Sequence, residues 1–204
     1  MIIDFSTTEP LQRYHLMTQT IIPRPIAWVL SLNEGQSLNL APFSYFNAMS
    51  SDPPLLAISI GKKAGGEVKD TRRNLLSGRE FVAHIANIAQ AESLNMSAAP
   101  LAYGDSEVDL SQLALKQLPG WPLPLIDQCP LAYHCKLYDV HELGPNQQAV
   151  IYAEICQLYL EDRLVEYSNG RYQVDARRVN PLLRLGGSDY GELGRIFSLA
   201  RPKH

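Results

Sequence analysis

Apolar residues in this chain fall in short runs, separated by corners rich in Ser, Asn, Gly and Pro. Residues 26–32 are almost wholly apolar, and Pro23 and Pro25 set their entry, which predicts a buried strand. Residues 33–36 form a turn. Residues 38–46 predict a second strand interrupted by Pro42. Proline has no N–H to give a central ladder, so this strand is an edge or carries a bulge, and the interruption frees backbone groups for a ligand. Residues 55–60 follow the rigid Pro53-Pro54 pair as a short apolar strand, and 80–87 alternate as another. The longest strands are expected at 131–142 and 149–161. In the latter, Val150, Tyr152, Glu154, Cys156, Leu158 and Leu160 share one face, and Ile151, Ala153, Ile155 and Tyr159 the other. Residues 164–167 and 171–174 flank Ser168-Asn169-Gly170, a strong hairpin signal.

Helical signals are fewer. Residues 9–17 predict a short helix with Leu11, Tyr14 and His15 inward. A second runs over 71–77, with Asp70 as N-cap and Gly78 at its end. A third, over 89–99, is broken by Pro100. Residues 103–130 are irregular, carrying Pro119, Pro122, Pro124 and Pro130, and a stretch this long either functions or covers something. Gly186 to Gly191 form a corner before a short final helix. Many strands, few helices and no strand–helix–strand period predict a mainly β fold, an antiparallel barrel with a few peripheral helices. With no linker or repeat in its 204 residues, the chain reads as a single domain over 1–204.

Composition narrows the function. A core of this size buries roughly 70% of the unfolded surface, so no disulfide is required. The net charge of −3 and the lack of any Lys/Arg block disfavour nucleic acid and anionic membranes as partners. No apolar run approaches the roughly 18 residues of a membrane span. Residues 1–5 lack the basic and apolar stretches of a signal peptide, so a cytoplasmic protein is expected. Cys129, Cys135 and Cys156 form no Cys-x-x-Cys pair and read as buried free thiols. His15, His84, His134, His141 and His204 show no metal-ligand spacing, and neither a Walker sequence nor a Gly-x-Gly-x-x-Gly is present.

Two polar corners carry the candidate chemistry. In the first, Asn39, Ser44, Asn47, Ser50 and Ser51 can donate and accept hydrogen bonds, matching the N3–H and the O2 and O4 carbonyls of an isoalloxazine. Pro42 and Phe43 can lie against the face of such a ring. In the second, Lys69 supplies a positive charge and Thr71 a hydroxyl where a helix begins, a suitable place for a phosphate. Asp70 sits poorly beside a phosphate, and as an N-cap it would turn away to bond the first helical turn. Taken alone, the first corner also reads as ordinary turn residues and the second as a capped helix with a solvated lysine. Together, a flat polar ring and a phosphate suggest flavin mononucleotide (FMN), provided the fold brings the corners together.

Several segments occur in a specific order: Pro23-Arg24-Pro25-Ile26-Ala27-Trp28-Val29, Asn39-Leu40-Ala41-Pro42-Phe43-Ser44-Tyr45-Phe46, Asp52-Pro53-Pro54-Leu55-Leu56, and Lys69-Asp70-Thr71 with Asn74 and Leu75. Residues 181–190, Pro-Leu-Leu-Arg-Leu-Gly-Gly-Ser-Asp-Tyr, follow near the end. In these the chain resembles the flavin reductase-like, FMN-binding split-barrel family, and within it the flavoredoxin-like branch. The resemblance implies an antiparallel split β-barrel and a homodimer with FMN near the subunit interface. By position it implies that Asn39, Ala41, Pro42, Phe43 and Ser44 line the ring, with Asn47, Ser50 and Ser51 close by. Lys69 and Thr71 would hold the phosphate, Arg24 would be a neighbour, and Arg184 and Tyr190 would close the site or the dimer.

The activity so implied is hydride transfer from NADH or NADPH to flavin. The flavin carries the redox chemistry, so no acid–base residue is assigned. One departure bears on this. Many reductases that the chain resembles carry Gly-Asp-His just before the strand corresponding to residues 150–154, and here the segment is Asn146-Gln147-Gln148. Its loss motivates the alternative of an FMN-binding electron carrier reduced by a redox protein partner. A β-barrel interaction module that binds no flavin is the third reading.

Overall fold

Proline at position 42 bars its strand from the middle of a sheet, and in the computed structural model that strand lies at the sheet edge. The structure describes residues 1–202, so His204 lies outside the described residues. In chain order the elements are α1 (Pro10–Thr20), β1 (Ala27–Leu32), β2 (Leu38–Phe43), β3 (Phe46–Ser51), β4 (Pro54–Ile60), α2 (Asp70–Leu76), β5 (Phe81–His84), α3 (Ala91–Met96), α4 (Glu107–Leu110), β6 (Leu115–Lys116), β7 (Leu125–Ile126), β8 (Leu131–Leu143), β9 (Gln148–Leu160), β10 (Val165–Ser168), β11 (Arg171–Val174), α5 (Ala176–Val179), β12 (Leu183–Arg184) and β13 (Tyr190–Gly191). Seven strands form one antiparallel sheet in the order β2-β1-β5-β8-β9-β4-β3. Its two edges, β2 and β3, are consecutive in the chain and joined through Ser44 and Tyr45 without pairing to each other. A hydrogen bond from Ser59 N–H to Tyr45 O (2.8 Å) ties that corner to β4. This is the mainly β, antiparallel split barrel that the sequence predicts.

Strand β1 explains its own composition. Trp28 and Leu30, with Ile26 just before the strand, enter one buried cluster, while Ala27 and Val29 enter another. Both faces of the strand are covered, so its sequence is continuously apolar rather than alternating. The second cluster fills the barrel with Leu56, Ile58, Ile60, Phe81 and Ile151, capped by Leu75 of α2. The first lies on the outer face, covered by Val108, Trp121, Leu123, Leu125 and Ile126 from the irregular segment. That long segment therefore covers the sheet, and it carries α4, β6 and β7 within it.

Inserted residues alter the expected faces of the long strands. Cys135 pairs with Ile155 and His134 with Gln157, so Cys156 is inserted as a bulge. Ile155 packs on the barrel cluster, whereas Tyr159 packs on the outer one, because the bulge reverses the alternation. The same insertion leaves Cys156 exposed, while Cys129 and Cys135 are buried. Burial pushes the Cys129 thiol up to about 12, so it stays protonated.

Other local expectations are corrected. Helix α1 forms, yet Leu11, Tyr14 and His15 face outward, and Thr18 is its buried residue. The N-cap of α2 is Lys69, whose ammonium has no acceptor for a cap bond, and Asp70 is instead the first helical residue and pairs with Lys63 at 3.3 Å. The helix expected over 89–99 is a short 3-10 turn, Ile88–Gln90, followed by α3. Residues 192–202 form no helix. The β10–β11 hairpin is as expected, with Asn169 (φ 51°) and Gly170 (φ 74°) both left-handed.

Candidate functional site

Strand β2 and helix α2 are locked to one another by buried amides. Asn39 Nδ2 donates to Ser31 Oγ (3.2 Å) on β1 and to Thr71 Oγ1 (2.8 Å) on α2. Asn74 Nδ2 reaches the same Ser31 Oγ (3.1 Å) and Asn33 Oδ1 (2.8 Å). Asn39, Thr71 and Asn74 are each buried, so their geometry is set before any ligand arrives. Thr71 Oγ1 accepts from Asn39 and keeps its own O–H to donate.

In front of this network lies a cavity of about 370 Å³, within the ~300–1,000 Å³ of small-molecule sites. Six residues singled out in the sequence line it: Asn39, Ala41, Pro42, Phe43, Lys69 and Thr71. Lys69 Nζ lies 5.6 Å from the centre of the Phe43 ring. No carboxylate is within salt-bridge range of Lys69 among the described residues. Burial, and after it the Lys63 charge, lowers its proton affinity below that of an ordinary lysine. A half-buried cation without an anion, a free hydroxyl and an apolar ring surface together suit a phosphate-bearing, partly apolar ligand.

Arg24, Ser44, Asn47, Ser50, Ser51, Arg184 and Tyr190 lie outside the cavity lining. Arg24 is buried as a brace: Nε donates to Ser44 Oγ (3.3 Å), Nη1 to Ile21 O (2.9 Å) and Thr18 O, and Nη2 to Leu185 O (2.7 Å). It thereby ties α1, the β2–β3 corner and the segment after β12 together. Asn47, Ser50 and Ser51 lie on β3 and are exposed. Asn47 Oδ1 accepts the adjacent Ala48 N–H (2.9 Å), and Ser50 Oγ accepts the Asp52 N–H (3.2 Å). Arg184 and Tyr190 pair across β12 and β13, with the guanidinium 4.5 Å from the ring centre.

Sequence reasoning missed several walls of the cavity: Lys62, Lys63, the segment from Ser97 to Leu101, and Glu107. Glu107 Oε2 accepts the Leu40 N–H (2.9 Å) across 67 positions of sequence, a contact with no local signal. Lys62 Nζ donates to Gln147 Oε1 (2.6 Å), in the turn where the resemblance leaves a histidine missing. His84 is fully buried; its Nδ1–H donates to Trp28 O and its Nε2 accepts the Ile126 N–H, both at 3.0 Å. Burial holds that ring neutral, with its pKa pushed down to about 4. Among the described residues no group of three or more His, Cys, Asp and Glu is placed to hold a metal.

A split barrel with this cavity is a member of the flavin reductase-like family: the model of the flavin reductase like domain matches residues 17–174. Among relatives, the uncharacterized protein YwrF of Bacillus subtilis (strain 168) is 36% identical over 195 residues, covering 93% of each chain. Nitrilotriacetate monooxygenase component B from Bacillus cereus shares the fold with a TM-score of 0.89 at 32% identity, over 98% of each chain. The 2-nitrobenzoate 2-nitroreductase NbaA of Pseudomonas fluorescens follows with a TM-score of 0.85 at 31% identity, over 99% of this chain and 96% of that one.

Proposed function

We propose that this chain is an FMN-binding oxidoreductase that draws its reducing equivalents from NADH or NADPH. The observation that carries this reading is the cavity in which Lys69, Thr71, Asn39, Pro42 and Phe43 meet. Lys69 and Thr71 hold the phosphate through charge-assisted hydrogen bonds. Ala41, Pro42 and Phe43 give apolar surface to the ring side. Bound FMN supplies the hydride and electron chemistry, which this chain's side chains do not. Ser44, Asn47, Ser50 and Ser51 meet the polar edge of the ring, with Arg24 holding Ser44 in place. The chain acts as a homodimer in a cytoplasmic setting, and the exposed β3 edge is where a second copy completes the ring side of the site.

A second reading is an FMN-binding electron carrier reduced by a redox protein partner. It is favoured by the β8–β9 turn, where Gln147 offers Lys62 an amide rather than presenting an imidazole. One experiment separates the two. The protein is mixed with FMN, desalted, and its absorbance followed as NADH or NADPH is added without oxygen. Retained yellow absorbance that bleaches within seconds supports the oxidoreductase. Retained absorbance that persists supports the carrier, and loss of flavin even in direct titration at micromolar concentration would sink both.

A further inference from the structure

Glu107 is buried in the cavity wall and makes no salt bridge among the described residues. It is the first residue of α4, whose N-cap Ser106 accepts the Asp109 N–H (3.4 Å). From there its side chain crosses to β2, where Oε2 takes the Leu40 N–H at 2.9 Å. Only 6% of the residue is exposed, and it lines the same cavity as Asn39 and Thr71. No Lys, Arg or His is within salt-bridge range of it among the described residues. Lys63 is engaged by Asp70 (3.3 Å) and Lys62 by Gln147 (2.6 Å), while Lys69 stands free on the cavity wall. Burial holds the Glu107 carboxyl above the usual carboxylate range, opposed by the Leu40 N–H and its own amide; Asp70 adds to the rise and Lys63 works against it.

Sealing one strand-edge N–H does not require an acid, since a neutral Gln or Ser would meet the same donor. A buried carboxylate without a cation is costly, so its charge needs a separate explanation. A ligand phosphate does not provide one, because two anions in one poorly solvated cavity repel. A ligand hydroxyl does, because O–H donates to a carboxylate more strongly than to a neutral oxygen.

We propose that Glu107 is a ligand-selecting residue whose carboxylate accepts a hydroxyl of the polyol that links ring and phosphate in a flavin nucleotide. This rests on the FMN reading above. The test compares FMN, riboflavin (polyol without phosphate) and lumiflavin (neither) binding to the wild-type protein and to Glu107→Gln, by quenching of flavin fluorescence. Glutamine keeps the size and still accepts the Leu40 N–H. The expected result is about a tenfold loss for riboflavin and a smaller loss for FMN, where relief of the carboxylate–phosphate repulsion offsets part of the lost bond, with lumiflavin unchanged. Equal losses for all three mean that Glu107 acts only by placing β2, and unchanged riboflavin affinity means that it touches no hydroxyl. A gain for FMN with riboflavin unchanged means that the carboxylate only opposes the phosphate. Each of these overturns the assignment. Thermal unfolding checks that the variant is folded; should it not be, Glu107→Asp, which keeps the charge on a shorter arm, carries the same three-ligand comparison. Wild-type protein that binds none of the three overturns the FMN reading and this one with it, an outcome distinct from those in which the wild type binds.

Discussion

Asn39 and Asn47 lie on either side of one corner of the chain, and the fold treats them in opposite ways. Asn39 is 3% exposed, and its amide is committed to Ser31 and Thr71. Asn47 is exposed, and among the described residues its side chain bonds only the backbone next to it. The difference is one of surroundings. Strand β2 has β1 beside it and α2 and α4 against it, whereas β3 pairs with β4 on one side and, among the described residues, with no strand on the other. The β2–α2 wall is therefore organised within a single chain, and a ligand meets it at little ordering cost. The β3 edge carries a row of unpaired backbone and polar side chains that only a ligand or another chain can organise.

The largest test of this contrast strikes the organised side. Lys69→Ala with Thr71→Ala is expected to weaken FMN about 100-fold while riboflavin loses far less, since two phosphate bonds of roughly 1.5 kcal/mol each are removed. Equal losses in parallel fluorescence titrations would argue that the phosphate lies elsewhere. Next comes Asn39→Ala, which leaves the buried Thr71 hydroxyl without its donor, while Ser31 keeps the bond from Asn74, and should cost about 2 kcal/mol of stability in urea unfolding. Asn47→Ala should stay within about 0.5 kcal/mol. If the two substitutions cost the same, the distinction between the two sides does not hold.

How far the sequence discloses each side follows from the same physics. Strand β1 is legible because both its faces are buried, and the Ser168-Asn169-Gly170 turn because its residues tolerate a left-handed backbone. Pro42 marks an edge for want of an N–H. Strand β3 hides within the predicted polar corner, because residues 46–51 are mostly exposed on both faces and show no alternation. The bulge at Cys156 carries no compositional mark, and so the faces of β9 beyond it are misassigned. In the cavity, the positions on β2 and α2 are legible as local motifs. Lys62, the segment from Ser97 to Leu101 and Glu107 are not, since they arrive there only through long-range folding.

A third prediction sharpens the contrast from the exposed side. Asn47→Ala, Ser50→Ala and Ser51→Ala together should leave urea stability nearly unchanged, because none of the three is buried. Flavin affinity should fall about tenfold, for riboflavin and FMN alike, because the ring edge is common to both. Sedimentation of the same variant reports whether this edge also joins two copies. A variant that binds both flavins as the wild type does would remove β3 from the site.

The smallest expected effect is a change of preference with pH. Burial first, and the Lys63 charge second, hold the Lys69 ammonium below the ordinary lysine value of 10.5. A phosphate binds the charged form, so the preference for FMN over riboflavin is full near neutrality. It is lost as pH rises through the Lys69 titration, which begins before 10.5 is reached. Ionisation of the ring is common to both ligands and cancels in the ratio of their dissociation constants. The riboflavin-to-FMN ratio of dissociation constants should fall toward one as pH rises from about 7 through the Lys69 titration, and Lys69→Arg should flatten it, because a guanidinium stays charged throughout. A ratio that is already flat in the wild-type protein would mean that Lys69 does not hold the phosphate. The charge would then have to come from Lys62 or Lys63, which would first have to leave Gln147 or Asp70. The organised wall would in that case need rearrangement on binding, just as the β3 edge does.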